Sequence, residues 1–363
     1  MVKCCLLVLA LATTHSPVAP GAAGAATAAA AAPGTHTPRP PSRAAEAKYQ
    51  IARADAAAIL STRADANSLA AAAALRYSGP GYGEKAVSLN LKPSALELAD
   101  RASELAPQDA GIGWLHLQLC SGTPTCDIRD VGTVLRWVDA DNGAAWLHTL
   151  ATAQKDRDSM EADRILADMA RAARFDLYWN RIVVLMVDAL DAAHDQLPGG
   201  FAGSDSARLA TAGGIAGGEI IPPFTALAEA CRESNAAPER RELCMKLSKT
   251  MQRSDTIAAQ MAGFSIERRL LAPDSKEARA IAERRHVLEW RAAEAAKFDN
   301  PLLPWTKNAR ARARLAHMRA MPREEDVCIA ILREHRMALD PPEVRPGSTG
   351  TDAAHGALPA AQQ

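Results

Sequence analysis

Aromatic residues are scarce, neither sign of charge is in excess, and no long apolar run interrupts the chain. Phe, Trp and Tyr make up 4% of 363 residues. That removes the ring-rich composition strands favour and leaves an Ala- and Leu-dominated apolar set suited to closely packed helices. Basic and acidic side chains balance at 42 each, so no net field steers a polyanion and nucleic acid is not an expected partner. The N-terminal apolar run, Cys4 to Ala12, falls well short of the ~18 residues needed to cross a bilayer. No later segment reaches that length, so no membrane span is expected. The chain also lacks H-E-x-x-H, a P-loop, a dinucleotide fingerprint, G-x-S-x-G and C-x-x-C, so no catalytic residue, cofactor or metal is expected.

What the N-terminus does contain is one Lys before the apolar run, then small residues with Ala23-Gly24-Ala25 as an A-x-A cleavage site. Residues 1–25 therefore read as a secretory signal peptide, which places the protein in the periplasm or outside the cell. Residues 26–45 read as a disordered Ala/Pro-rich leader and 339–363 as a disordered tail, because neither has much to bury.

Between them apolar residues recur at helical spacing and the breaks carry cap chemistry. Ser94 with Glu97 forms a capping box and Pro107 ends that run, putting Ala95, Leu98, Ala99, Ala102, Leu105 and Ala106 on one face. Asp158 with Glu161 repeats the start signal, followed by a stripe of Ile165, Leu166, Met169 and Ala173. Asp255 opens a helix with Ile257, Met261 and Phe264 on one face, and Pro273 to Ser275 break to a long charged helix. No alternating strand pattern stands out, so the fold class is all-α.

A period underlies these helices. Trp114-Leu115-His116 recurs as Trp146-Leu147-His148 after 32 residues, and Trp179 follows 33 residues later, each after a turn-like stretch. With Ala95, Ala102 and Pro107 at the offsets of a second helix, and Trp114 early in the next first helix, residues 93–180 resemble the tetratricopeptide family, whose unit is a helix pair of about 34 residues. The pattern departs at Gln118 and Leu135, where that family has small residues, and residues 64–77 read as an earlier degenerate unit. The resemblance implies antiparallel helix pairs stacked as an α-solenoid, with Trp114, Trp146 and Trp179 at packing positions and a surface that binds protein or peptide. It implies no catalytic residues. On this reading the repeat region spans 46–198, a Gly-rich linker or loop spans 199–223, and a C-terminal helical region spans 224–338.

Cys4 and Cys5 fall in the signal peptide, leaving five of seven cysteines. Export permits disulfides, and the spacing pairs Cys120 with Cys126 across a short turn and Cys231 with Cys244 across a hairpin in which Pro238 starts a helix. Cys328 is then left over on an apolar helix face, where an intermolecular bond is the alternative to burial. A zinc site using His116, Cys120 and Cys126 competes for the first pair, but no nearby Cys or His supplies a fourth ligand, and His148 approaches only if the repeat stacks it beside His116. A structural zinc needs four ligands, and an oxidising compartment favours disulfides instead.

Three weaker features complete the reading. Ser204 and Ser206 in the Gly-rich segment 199–218 are the basis for an alternative function, a periplasmic enzyme such as a hydrolase, which requires a His and a carboxylate beside them. His286 with Glu289 has base-and-orienter spacing on a charged helix. Lys307, Arg310, Arg312, Arg314, Arg319 and Arg323 form a basic run that binds an anionic partner unless local acids such as Glu324, Glu325 and Asp326 balance it. The expected function is a non-catalytic exported scaffold for an unknown protein or peptide partner.

Overall fold

The structure, a computed structural model, describes residues 43–77, 92–197, 204–218, 222–232, 237–299 and 307–342. The expected signal peptide and most of the leader and tail lie outside these residues, as does the hairpin turn between Cys231 and Cys244. Among the described residues the chain forms fifteen α-helices and no strand. They are α1 (Arg43–Ser61), α2 (Ala66–Arg76), α3 (Ala95–Leu105), α4 (Ala110–Ser121), α5 (Ile128–Val138), α6 (Leu147–Lys155), α7 (Ser159–Arg171), α8 (Trp179–Ala192), α9 (Asp205–Gly218), α10 (Phe224–Ala230), α11 (Pro238–Met251), α12 (Ile257–Leu270), α13 (Lys276–Ala296), α14 (Lys307–Ala320) and α15 (Glu324–Glu334). A short 3-10 turn, Gly143–Trp146, leads into α6.

Cap chemistry fixes most starts. Ser94 and Glu97 close the expected capping box on α3, and Asp65, Asp109, Asp127, Asp158 and Ser275 each accept backbone N–H bonds at the head of a helix. Each such bond satisfies donors that the first helical turn leaves orphaned. Pro238 occupies the first turn of α11, where its missing N–H costs nothing. One expectation is corrected: Asp255 does not cap α12. Thr256 does, accepting the Ala259 N–H, and the Asp255 side chain turns away to the 177–178 backbone.

From α1 to α7 each helix packs on the next, and α2 and α4 also touch each other. The chain then changes course. Helix α8 returns to α2 and α4, α9 and α14 cover α8, and the pair α10 and α11 lies on α6 and α7 before leading through α12 and α13 to α15. Helices α2 and α4 are consequently buried over most of their length, α2 through Ala70 to Ala74. Alanine suits that position because two backbones approach closely without losing side-chain entropy. The carboxyl end of α2 is closed by Arg53 of α1, whose guanidinium is buried and donates to the carbonyls of Ala74, Leu75 and Tyr77. Those are the orphan acceptors of a helix end, where a cation is favoured.

Helices α1, α3, α5 and α7 keep one side to solvent. Every large apolar side chain exposed in the first seven helices is on one of them: Ile51, Leu105, Val134, Trp137 and Met160. Leu105 and Ala173, placed on buried stripes from sequence, are exposed, Leu105 in the last turn of α3 and Ala173 beyond the end of α7. The linker or loop expected at 199–223 is also corrected. Residues 205–218 form α9, whose Ala212 and Ile215 are buried. Packing on α8 and α14 there outweighs a helix-propensity loss of about 1 kcal/mol per glycine.

Two glycines separate packing from propensity. In α12, a Cβ on Gly263 would lie 2.8 Å from both Met251 Cβ and Ser248 O of α11. Gly263→Ala should lower stability by about 1–3 kcal/mol through overpacking. Gly214 of α9 has open space at that position, and Gly214→Ala should raise stability by about 0.5–1 kcal/mol. Urea midpoints of the two variants, moving in opposite directions, check the pair.

Candidate functional site

A polar interior region lies where α5, the 3-10 turn and the start of α8 meet. Asp139 ends α5 with its carboxylate buried. Arg174 and the Tyr178 hydroxyl donate to it, as does Asn142 Nδ2 at 2.8 Å. Asn142 also takes the Asp176 N–H on Oδ1 at 2.9 Å and gives Nδ2 to the Asp176 carbonyl, joining residues 34 apart. Reciprocal backbone bonds between Gly143 and Arg174, and between Arg174 and Asp141, complete the seam. Burial, with the bond to Asp139, holds the Tyr178 phenol protonated well above its ordinary range. Tyr178 adopts a left-handed backbone, φ 58°, which is uncommon outside glycine and marks a position fixed by its surroundings.

Behind that turn sits Asp255. Its buried carboxylate accepts the Leu177 N–H at 2.8 Å and the Tyr178 N–H at 2.7 Å, and Ser254 Oγ lies 3.2 Å away. From α15, the Glu324 N–H donates to the Asp255 carbonyl at 2.7 Å, and the Glu324 carboxylate accepts the Ile257 N–H at 2.9 Å. Burial, together with the nearby charge of Asp176, pushes Asp255 up to about 7 despite those bonds. Asn180 adds a further link, donating to the carbonyls of Met321 and Pro322.

The residues singled out from sequence are placed as follows. Trp114 is buried in α4. Trp146 is half-buried at the head of α6, with the Arg136 guanidinium 4.5 Å and that of Arg164 5.6 Å from its ring centre, cation–π distances that tie α5 and α7 to the 3-10 turn. Trp179 begins α8, half-buried. The three tryptophans thus open successive buried or half-buried segments and share no common pocket. Cys120 and Cys126 have Sγ atoms 2.04 Å apart, and Cys231 and Cys244 1.99 Å apart, so both expected pairs are at disulfide distance. Cys328 is buried on α15, outside both pairs.

His116 does not face Cys126. Its Nδ1 lies 3.2 Å from Ser103 Oγ and its Nε2 2.8 Å from Asp100 Oδ1, both on α3. Burial lowers its affinity for a proton, with Asp100 acting in the opposite sense. The trio has the members of a nucleophile, base and orienter set. Ser103 and Asp100 sit within α3, however, where the nearby N–H groups are committed to the helix and leave no donors for an oxyanion. His148 is buried in α6, which lowers it to about 4 and keeps it neutral.

Among the described residues of the Gly-rich segment, Ser204 and Ser206 are linked to α14 and to the start of α9. Ser204 Oγ donates to Asn308 at 3.0 Å and accepts the Ala207 N–H as a cap of α9, and the Ser206 N–H points to the same Asn308. No histidine is among these partners. His286 is exposed, and Glu289 pairs with Arg285 instead. The basic run is largely neutralised within the fold: Arg312 meets Asp205, Arg319 meets Asp188, and Arg323 meets Glu325.

Sequence reasoning missed the Asp139 and Asp255 clusters, and it missed Trp137. A signal for the last was present, since "IRDVGTVLRWV" carries more apolar residues than one buried helix face needs. No family model, curated protein or solved structure matches this chain.

Two measurements follow. Asp139→Ala leaves Arg174, Tyr178 and Asn142 without their shared acceptor and should cost about 1–3 kcal/mol in urea unfolding, with Asp139→Asn costing less. Replacing Cys120 and Cys126 together by Ser should cost about 2.4 kcal/mol, and replacing Cys231 and Cys244 about 3 kcal/mol, on the chain-entropy model. Non-reducing peptide mapping with denaturation of each double variant checks both.

Proposed function

We propose that this protein is an exported, non-catalytic scaffold built from tetratricopeptide-like helix pairs, and that it binds another protein or peptide along its outer helices. The observation that carries this reading is the exposed apolar pair Val134 and Trp137 on α5, with further exposed apolar side chains on α1, α3 and α7. Trp137 is 74% and Met160 83% exposed, and Val134 lies one helical turn from Trp137. Adjoining exposed apolar side chains, unlike single ones, mark a docking face, and Trp is enriched among the residues that anchor one.

The link between Asn142 and Asp176, 34 residues apart, supports a stacked repeat, because period-related positions meet where neighbouring units touch. Two cysteine pairs at disulfide distance fit export to an oxidising compartment. Among the described residues no helix is long and apolar enough to cross a membrane. A partner suited to this face presents an apolar helix face or extended apolar segment to α5.

A photo-crosslinking residue placed at Trp137, with a control at exposed Glu277 of α13, should capture one stoichiometric partner at 137 and none at 277 in the exporting host. Trp137→Ala should weaken that complex by about 2 kcal/mol, roughly thirtyfold, without moving the urea midpoint. Equal capture at both positions, or none at 137 from folded protein, would overturn the assignment.

A further inference from the structure

The buried carboxyl of Asp255 joins parts of the chain that are far apart in sequence. It belongs to the turn between α11 and α12, yet its two oxygens take the N–H groups of Leu177 and Tyr178, 78 and 77 residues away. The same turn is held from the other side by α15, through the paired bonds that Glu324 makes with the Asp255 carbonyl and the Ile257 N–H. One carboxyl therefore sits between the entry to α8 and the helices α12 and α15, at a seam with few other polar ties.

Three donors, the Leu177 and Tyr178 N–H groups and the Ser254 hydroxyl, favour the charged form of Asp255, but burial outweighs them and no counter-charge is among its partners. Asp176, from the turn before α8, is acidic and opposes ionisation. The Tyr178 hydroxyl is directed to Asp139. Glu324, from α15, is a second acid, itself raised by desolvation against the Ile257 N–H and the charge of Arg314. From its own segment Asp255 has only the Ser254 hydroxyl, 3.2 Å from Oδ1. No cation is among its hydrogen-bond partners, and the charge of Asp176 opposes its ionisation. A proton on Oδ1 has a ready acceptor in Ser254 Oγ, while Oδ2 continues to accept the Tyr178 N–H.

We propose that the Asp255 joint is a proton-held latch: with its carboxyl neutral, the turn at 174–178 stays docked on α12 and α15, and ionisation loosens that seam. The direction follows from linkage. A carboxyl near 7 in the closed seam and near ~3.9 in an open, solvated one binds its proton more tightly when closed. The resulting stabilisation is complete below about pH 4 and is lost as pH rises to about 7, with no further loss above. Across that window the opening equilibrium rises about tenfold per pH unit, on the order of a hundredfold between pH 5 and 8.

Amide hydrogen exchange read by NMR, corrected for intrinsic rates, tests this at Leu177, Tyr178 and Ile257. Their opening should climb by one to two orders of magnitude from pH 5 to 8, while Leu117 in α4 stays flat. In Asp255→Asn the same amides should lose that slope. A flat profile in the natural chain, or an unchanged slope in Asp255→Asn, sinks the proposal. Should the variant fail to fold, direct observation of the Asp255 carboxyl carbon in the natural chain decides the matter. A midpoint above pH 6 supports the latch and one below pH 5 overturns it.

Discussion

The Asp139 carboxylate, at the end of α5 and almost out of reach of water, has donors from two separate turns converging on it. Arg174, Tyr178 and Asn142 supply them. An ionised acid in that position is tolerable only when it is fully paired. Its partners are thereby fixed in place, and two of them flank the start of α8. The direction in which α8 leaves the turn, back toward α2 and α4, depends on that pairing. The left-handed backbone of Tyr178 is a by-product of the same constraint, because the chain must reverse sharply to bring its hydroxyl to Asp139 and its N–H to Asp255.

With α8 so directed, the helices of the first half fall into two kinds. Helices α2 and α4, enclosed on several sides, use alanine and leucine to bring backbones together. Helices α1, α3, α5 and α7 retain solvent-facing sides, and the large apolar residues exposed within the first seven helices are on them. The scarcity of aromatic residues makes the exposure of Trp137 more informative. A chain with six tryptophans that leaves one largely in water forgoes about 2–3 kcal/mol of burial, which a bound partner can recover.

Features whose determinants are close in sequence were legible from it. Ser94 with Glu97, Asp158 and Ser275 start helices through bonds spanning three residues, Pro238 does so through its fixed backbone, and the cysteine pairs close short loops. Asp255 misled for the opposite reason. Its spacing from the next helix fits a cap, but the donors it serves are contributed by residues 177 and 178. The helix at 205–218 was read as a linker because four glycines weaken its propensity, and only contact with α8 and α14 restores it. Ser103 and Asp100 drew no notice because nothing local connects them to His116, which reaches them only when α3 and α4 pack.

The return of α8 onto α2 bears on how the molecule comes apart. A strictly linear stack of helix pairs can fray from its ends, since each unit depends only on its neighbours. Here α2, near one end of the described chain, relies on a helix more than a hundred residues later, and α7 relies on α11. Loss of any of these removes cover from segments distant in sequence. Segments far apart in sequence thus depend on one another, and contacts of long sequence separation should slow folding relative to a simple helical ladder.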